Sequence, residues 1–177
     1  MTTAYTRTTV ALHWIVAALV ITAIALGWVM TELTFSPLKL RLFNWHKWIG
    51  VTVLALMVLR SLWRLWHPPP APLPTPAWQR LSAQAIHAMF YLMLLVQPLT
   101  GWIFSNAEGV PVVYLGLMPL PNLVDKDKVF GAFVKELHEA GGWVLAVLIG
   151  LHLLAAIKHH FFDRDDTLRR MLRWRTG

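Results

Sequence analysis

Four long apolar runs dominate this sequence, and each is long enough to cross a bilayer as a helix. The first, residues 9–30, contains one ionisable group, the imidazole of His13. A segment inside a bilayer must satisfy its own backbone hydrogen bonds, and a helix does so. The chain is therefore predicted to be an all-α integral membrane protein, a four-helix bundle with up-down-up-down connections. The predicted spans are residues 9–30, 46–65, 83–104 and 138–157.

The segments between these runs are predicted to be loops. Residues 32–43 contain charged side chains and a proline and are expected to form a short loop, whereas residues 67–76 carry six prolines and must end the second helix. The longest loop is predicted at residues 105–135, and its apolar part, residues 110–120, is expected to lie on the membrane interface. A cleavable signal peptide is the alternative for the first run, but that run is longer than a typical signal core. We expect it to be retained.

Composition excludes several other classes of protein. With 177 residues, 56% hydrophobic content and a mean hydropathy of +0.52, the chain is predicted to be a single membrane domain over residues 1–177. It has no cysteine, which rules out disulfides, iron-sulfur ligation and covalent haem attachment through a C-x-x-C-H motif. No glycine-rich nucleotide loop, H-E-x-x-H or G-x-S-x-G motif is present, so hydrolytic and nucleotide-binding functions have no local support.

The net charge of +7 is compatible with nucleic acid binding, but its distribution indicates membrane topology instead. Ten lysines and arginines fall on the face that holds both termini, which we call the terminal face, and six fall on the opposite face, which we call the loop face. This bias predicts that both termini are cytoplasmic. Arg60 and Arg64, near the end of the second span, are expected to extend their side chains to the headgroups. The ten are Arg7, Arg60, Arg64, Arg80, Lys158, Arg164, Arg169, Arg170, Arg173 and Arg175, and the six are Lys39, Arg41, Lys47, Lys126, Lys128 and Lys135.

Four histidines within these runs pair by depth. His138 and His152 are fourteen residues apart, which places them on one helix face and about 21 Å apart along its axis. His13 lies close to the terminal face, as His152 does, whereas His46 and His138 both lie at the entrances of their spans on the loop face. A haem iron needs two axial nitrogens at one height. We therefore predict an inner haem held by His13 and His152 and an outer haem held by His46 and His138, which together form a transmembrane electron conduit.

Other roles for the histidines remain open. An isolated imidazole in an apolar helix commonly bonds to a neighbouring helix, but the cost of ionisable groups in hydrocarbon favours a functional role for four that pair by depth. His87 lies at about the depth of His13 and could displace one ligand, although we favour a hydrogen bond to a propionate or a bound quinone. His159 and His160 lie where a quinone headgroup needing proton donors would dock, or they form an ordinary polar helix end, which we favour.

Short motifs follow one another along the chain in a specific order. They are Tyr5-Thr6-Arg7, Leu12-His13-Trp14, His46-Lys47 with Gly50, Arg60 to Arg64 running into prolines, His87, Leu137-His138-Glu139, Gly150-Leu151-His152 and Lys158-His159-His160-Phe161. This order resembles the prokaryotic cytochrome b561 family over nearly the whole chain. The resemblance implies four helices and two non-covalent b-type haems, with ligands at His13, His46, His138 and His152.

The resemblance also implies a function. The best-understood members of the family look like superoxide oxidases, which pass an electron from periplasmic superoxide through the haems to ubiquinone near the cytoplasmic side. We expect such a superoxide:quinone oxidoreductase in the bacterial inner membrane. A membrane subunit that relays electrons between a dehydrogenase or hydrogenase and the quinone pool is the alternative, and a haem-free transporter or scaffold is a third. Six acidic residues balance the six loop-face cations, so any attraction of superoxide must be local.

Overall fold

A computed structural model describes residues 5–71, 73 and 75–172 of the chain. Its helices are α1 (Arg7–Glu32), α2 (Pro37–Trp66), α3 (Ala77–Ala107), α4 (Lys128–Phe161) and the short α5 (Arg169–Leu172). Over those described ranges, four helices are long and apolar enough to cross a membrane, so the predicted all-α membrane bundle is confirmed. Pro72 and Pro74 of the connector, and Arg173 and Arg175 of the charge count, lie outside the described residues.

Three helices begin well before the predicted spans: α2 at Pro37, α3 at Ala77 and α4 at Lys128. The loop predicted at residues 32–43 is present but is confined to residues 33–36, because Ser36 caps α2 through a 3.3 Å hydrogen bond from the Lys39 amide to its hydroxyl, and the helix begins at Pro37. Likewise, Asp127 caps α4, which therefore begins inside the loop predicted at residues 105–135. Consequently His46 and His138 do not stand at the entrances of their helices but about two to three turns inside them.

Sequence neighbours pack together in this bundle: α1 against α2, α2 against α3, and α3 against α4. The backbones of α1 and α4 approach each other far less closely, and side chains bridge them, as where the Trp28 and Trp143 rings lie 4.8 Å apart between centroids. All four helices contribute to a buried group at mid-height, which we call the central apolar cluster. Its members are Val16, Val20, Val53, Met57, Leu94 and Leu145.

The connection between α3 and α4 folds against α2. It contains a hairpin of two short antiparallel strands, β1 (Val113–Tyr114) and β2 (Met118–Pro119). At its turn Leu115 and Gly116 have positive φ angles of 53° and 72°, as a tight hairpin turn requires. The Trp48 indole donates a 2.8 Å hydrogen bond to the Val113 carbonyl. The sequence did not predict this hairpin within residues 110–120, and the placement of that segment on the membrane interface stays a prediction.

Candidate functional site

The structure brings the predicted histidine pairs together at two heights. The ring centroids of His13 and His152 are 6.2 Å apart, and those of His46 and His138 are 6.0 Å apart. Two imidazoles that bind one metal ion from opposite sides, through bonds of about 2 Å, hold their centroids roughly 6 Å apart. Both separations therefore suit a single iron between the two rings of each pair.

Seven-residue intervals on α2 and α4 organise these two heights. Seven residues make about two helical turns, so side chains at this interval lie on one face. The residues are His46, Val53 and Arg60 on α2, and His138, Leu145 and His152 on α4. Val53 and Leu145 belong to the central apolar cluster, which therefore separates an outer tier, His46 with His138, from an inner tier that contains His13 and His152.

Hydrogen bonds fix both imidazoles of the outer tier. His46 Nδ1 lies 2.9 Å from the Ala23 carbonyl oxygen, and His138 Nδ1 lies 3.1 Å from the Gln97 carbonyl oxygen and 3.0 Å from the Thr100 hydroxyl. A carbonyl oxygen only accepts, so each Nδ1 must carry the proton. The Nε2 lone pair of each ring is then available to a metal, which is the arrangement that metal-binding histidines adopt.

Glycines on neighbouring helices provide the space for these two rings. A Cβ atom added to Gly101 would lie 2.9 Å from His138 Cε1, and one added to Gly27 would lie 3.4 Å from His46 Cε1. Neither glycine could be identified from the sequence, because each lies on a different helix from the histidine that it contacts. Only the packing of helix pairs could have revealed them.

The inner tier has a third imidazole. The His87 and His152 centroids are 5.7 Å apart, so His87 is as close to His152 as His13 is. In residues 5–71, 73 and 75–172, no hydrogen bond holds a ring nitrogen of His13, His87 or His152, in contrast to the outer tier. The competition between His13 and His87 that the sequence suggested is therefore present in the geometry as well.

His159 lies in a charged network at the terminal face. Its Nδ1 is 2.6 Å from Asp165 Oδ2 and 3.1 Å from Asp163 Oδ2, and its side chain is 19% exposed. Asp163 also binds the Lys158 ammonium at 2.6 Å, so these ligand-type atoms already have partners within the protein. His160, by contrast, makes an edge contact with the Phe161 ring. The expectation of an ordinary polar helix end thus fits His160 better than His159.

This network should make the stability of residues 162–172, which follow α4, sensitive to acid. Burial raises the pKa of Asp165, but hydrogen bonds from Thr167 and His159 outweigh it and hold the pKa below its ordinary value. A lowered folded-state pKa contributes stability that is present above the ordinary carboxyl value of about 4 and is lost as the pH falls through the folded value. We expect amide exchange of residues 162–172, corrected for intrinsic rates, to be slow near neutrality and to increase below about pH 4.

The Asp165→Asn variant is the control for this pH dependence. It removes the charge that binds His159, so its residues 162–172 should exchange rapidly at every pH. Equal protection of the wild-type segment on both sides of pH 4, or wild-type protection in the variant at neutrality, would show that the Asp165 carboxylate does not hold this segment.

Comparison with known proteins gives a consistent result. A family model described as prokaryotic cytochrome b561 matches residues 4–174. The chain is 36% identical over 170 residues to cytochrome b561 homolog 2 of Escherichia coli (strain K12), covering 92% of this chain and 87% of that relative. It is 31% identical over 171 residues to cytochrome b561 homolog 1 of the same organism, with 95% and 96% covered. A Yersinia pestis relative named "Probable superoxide oxidase CybB" is 30% identical over 179 residues, with 95% of each chain covered.

Proposed function

Because the chain belongs to the prokaryotic cytochrome b561 family, whose members are membrane redox proteins that use b-type haem, we propose that it carries electrons across the membrane through two haems. The donor is superoxide at the loop face and the acceptor is ubiquinone near the terminal face, with both termini cytoplasmic. The observation that carries this proposal is the presence of two histidine pairs, 6.0 and 6.2 Å apart, in separate tiers. The relative from Yersinia pestis supports the choice of superoxide as donor.

In this proposal His46 and His138 hold the outer haem, and His13 and His152 hold the inner haem. The haems, when bound, supply reversible one-electron oxidation and reduction. The chain contributes the rest: the Ala23 and Gln97 carbonyls orient the outer imidazoles, and the central apolar cluster keeps water from the space between the tiers. Two superoxide ions each lose one electron and become O₂, and one ubiquinone takes up two electrons and two protons.

His159 is the proposed proton donor to the quinone. Asp165 Oδ2 accepts the Nδ1 proton at 2.6 Å, which leaves Nε2 as the atom that delivers a proton and is reprotonated from water at the terminal face. The position of His159 in the last turn of α4 places it on the same side of the central apolar cluster as the inner tier. His87 is proposed to donate a hydrogen bond to the quinone or to a haem propionate, beside the inner pair.

Lys47 is the loop-face cation that the structure favours for attracting superoxide. It follows His46 directly, is half-buried, and donates a 3.3 Å hydrogen bond to the Ser105 hydroxyl. Lys135, in comparison, is exposed and pairs with Glu139 at 3.5 Å. A cation held near the outer tier accelerates the arrival of a small anion, and this effect weakens as salt is added.

Stopped-flow reduction of the haems tests the proposed reaction. Superoxide should reduce the haems of the purified chain rapidly, and added ubiquinone should reoxidise them. The Lys47→Gln variant should be reduced several-fold more slowly at low ionic strength and should show a flatter salt dependence. The Lys135→Gln variant is the matched control and should behave as the wild type does.

Two results would contradict the proposal. Haems that superoxide fails to reduce, in a preparation that quinol reduces, would remove superoxide as donor and favour the role of a membrane subunit. Co-purification with a dehydrogenase or hydrogenase would then identify that donor. A purified chain without b-type haem would exclude the conduit altogether and leave a scaffold or transporter.

A further inference from the structure

Arg60 is partly buried and lies on the face of α2 that packs into the bundle. It follows Val53 by seven residues and Met57 by three, and both are buried in the central apolar cluster. Its Nε atom is buried and has no hydrogen-bond partner in the described part of the chain. The guanidinium of Arg60 thus begins inside the bundle, and the expectation that its outer nitrogens extend to the headgroups stays a prediction. A buried donor on a charged group in a membrane span requires a partner.

The Arg60 guanidinium belongs to the inner tier. Arg60 stands fourteen residues after His46 on the same face of α2, the interval that also separates His138 from His152 on α4. The guanidinium carbon also lies 5.8 Å from the centroid of the Tyr91 ring, and that of Arg64 lies 5.4 Å from the same centroid. Two like charges beside one aromatic ring repel each other, and a nearby anion would offset that repulsion.

No acidic side chain of the protein supplies that anion. Among the described residues, which include all nine aspartates and glutamates, none lies within ion-pair distance of Arg60 or Arg64. The three on the terminal face are engaged elsewhere: Asp163 by Lys158, Asp165 by His159, and Asp166 by Arg169. Arg64 Nη1 instead donates to the Tyr91 hydroxyl at 3.4 Å. The protein therefore leaves the buried Arg60 Nε for a bound molecule to satisfy, whereas the exposed Arg64 also has access to water.

We propose that Arg60, together with Arg64 and Tyr91, forms a carboxylate-binding site that holds a propionate of the inner haem. A guanidinium offers planar, paired N–H donors that match the two oxygens of a carboxylate, and burial strengthens such charge-assisted bonds. The site rests on the proposed inner haem between His13 and His152, beside which Arg60 stands. A lipid phosphate is the other oxyanion source at this face, and the test below separates the two.

The test uses the purified full-length haem protein and two substitutions of one residue. Arg60→Met removes the charge, and Arg60→Lys keeps it without the paired geometry. In Arg60→Met we expect one of the two haems to pass to apomyoglobin roughly 10 to 100 times faster than in the wild type. We also expect the propionate-bending band of one haem to shift in the resonance Raman spectrum. Arg60→Lys should be intermediate, and Arg80→Gln, a charge loss on the same face, should match the wild type.

Several outcomes would overturn this inference. Unchanged propionate bands and unchanged haem transfer in Arg60→Met would do so, and so would loss of bound phospholipid from that variant with its propionate bands intact. Loss of one haem from Arg60→Lys as fully as from Arg60→Met would also count against it, because an ammonium still attracts a carboxylate. A wild type that binds fewer than two haems would instead refute the proposed function, so the two failures are distinguishable.

Discussion

Replacement of His138 by alanine is expected to remove one of the two proposed haems and to leave the other in place. The imidazole of His138 faces that of His46 at 6.0 Å, and the central apolar cluster separates this tier from the one that contains His13 and His152. The haem-to-protein ratio should therefore fall from about two to about one. The ratio is measured by the pyridine haemochrome spectrum of the purified variant, and a redox titration should resolve a single remaining component.

Two further histidine variants complete this test. His160→Ala changes an imidazole that lies edge-on to the Phe161 ring, away from both histidine pairs, and should retain both haems. His87→Ala decides the competition in the inner tier, and we expect it to retain both haems as well, because His13 and His152 are the proposed ligands. Retention of two haems in His138→Ala would show that His138 is not a ligand of the outer haem. Loss of the inner haem in His87→Ala would show that His87, rather than His13, is the second ligand of the inner haem.

The Gly101→Ala variant is expected to lose most of the outer haem although it changes no ligand. A Cβ atom at this position would lie 2.9 Å from His138 Cε1, which is closer than such contacts allow. The imidazole must turn away, and its Nδ1 then gives up the hydrogen bonds to Gln97 and Thr100 that orient Nε2. The haem-to-protein ratio and the fraction of low-spin haem in the optical spectrum measure this change.

Gly142→Ala is the matched control for that substitution. Its added methyl group would meet the Gln97 amide nitrogen at 3.8 Å, an ordinary van der Waals contact, so it changes a helical glycine without moving an imidazole. We expect both haems to be retained. A full complement of low-spin outer haem in Gly101→Ala would show that the backbone can shift to accommodate the added methyl group. Equal losses of haem in the two variants would indicate a general effect on helix packing.

Much of this architecture could be predicted from the sequence, because a bilayer imposes a fixed length and a fixed set of depths. The apolar runs identified the four helices, and depth alone paired His13 with His152 and His46 with His138. Helix starts were less predictable. Charged residues interrupt the apolar signal in the first turns of both helices, at Lys39 and Arg41 after the Ser36 cap of α2 and at Lys128 after the Asp127 cap of α4.

The features that sequence reasoning missed all depend on contacts between helices. Gly27 and Gly101 become informative only when α1 is packed against α2 and α3 against α4. Arg60 looked like a surface cation because it lies near a helix end, and its buried Nε atom follows from the register of α2 in the bundle. Periodicity could have provided this last clue, since Arg60 stands fourteen residues after His46, the same interval that separates His138 from His152.

The central apolar cluster determines what accompanies an electron across the protein. Its six side chains carry no group that could relay a proton, so the cluster itself provides no path for protons to follow electrons from the loop face to His159. Transfer between the tiers by the proposed route is therefore electrogenic. Each electron that moves inward in an energised cell travels against a negative interior potential, at a cost of about 2.3 kcal/mol per 100 mV for a full crossing. The membrane potential thus opposes turnover, and turnover should increase when an uncoupler collapses that potential.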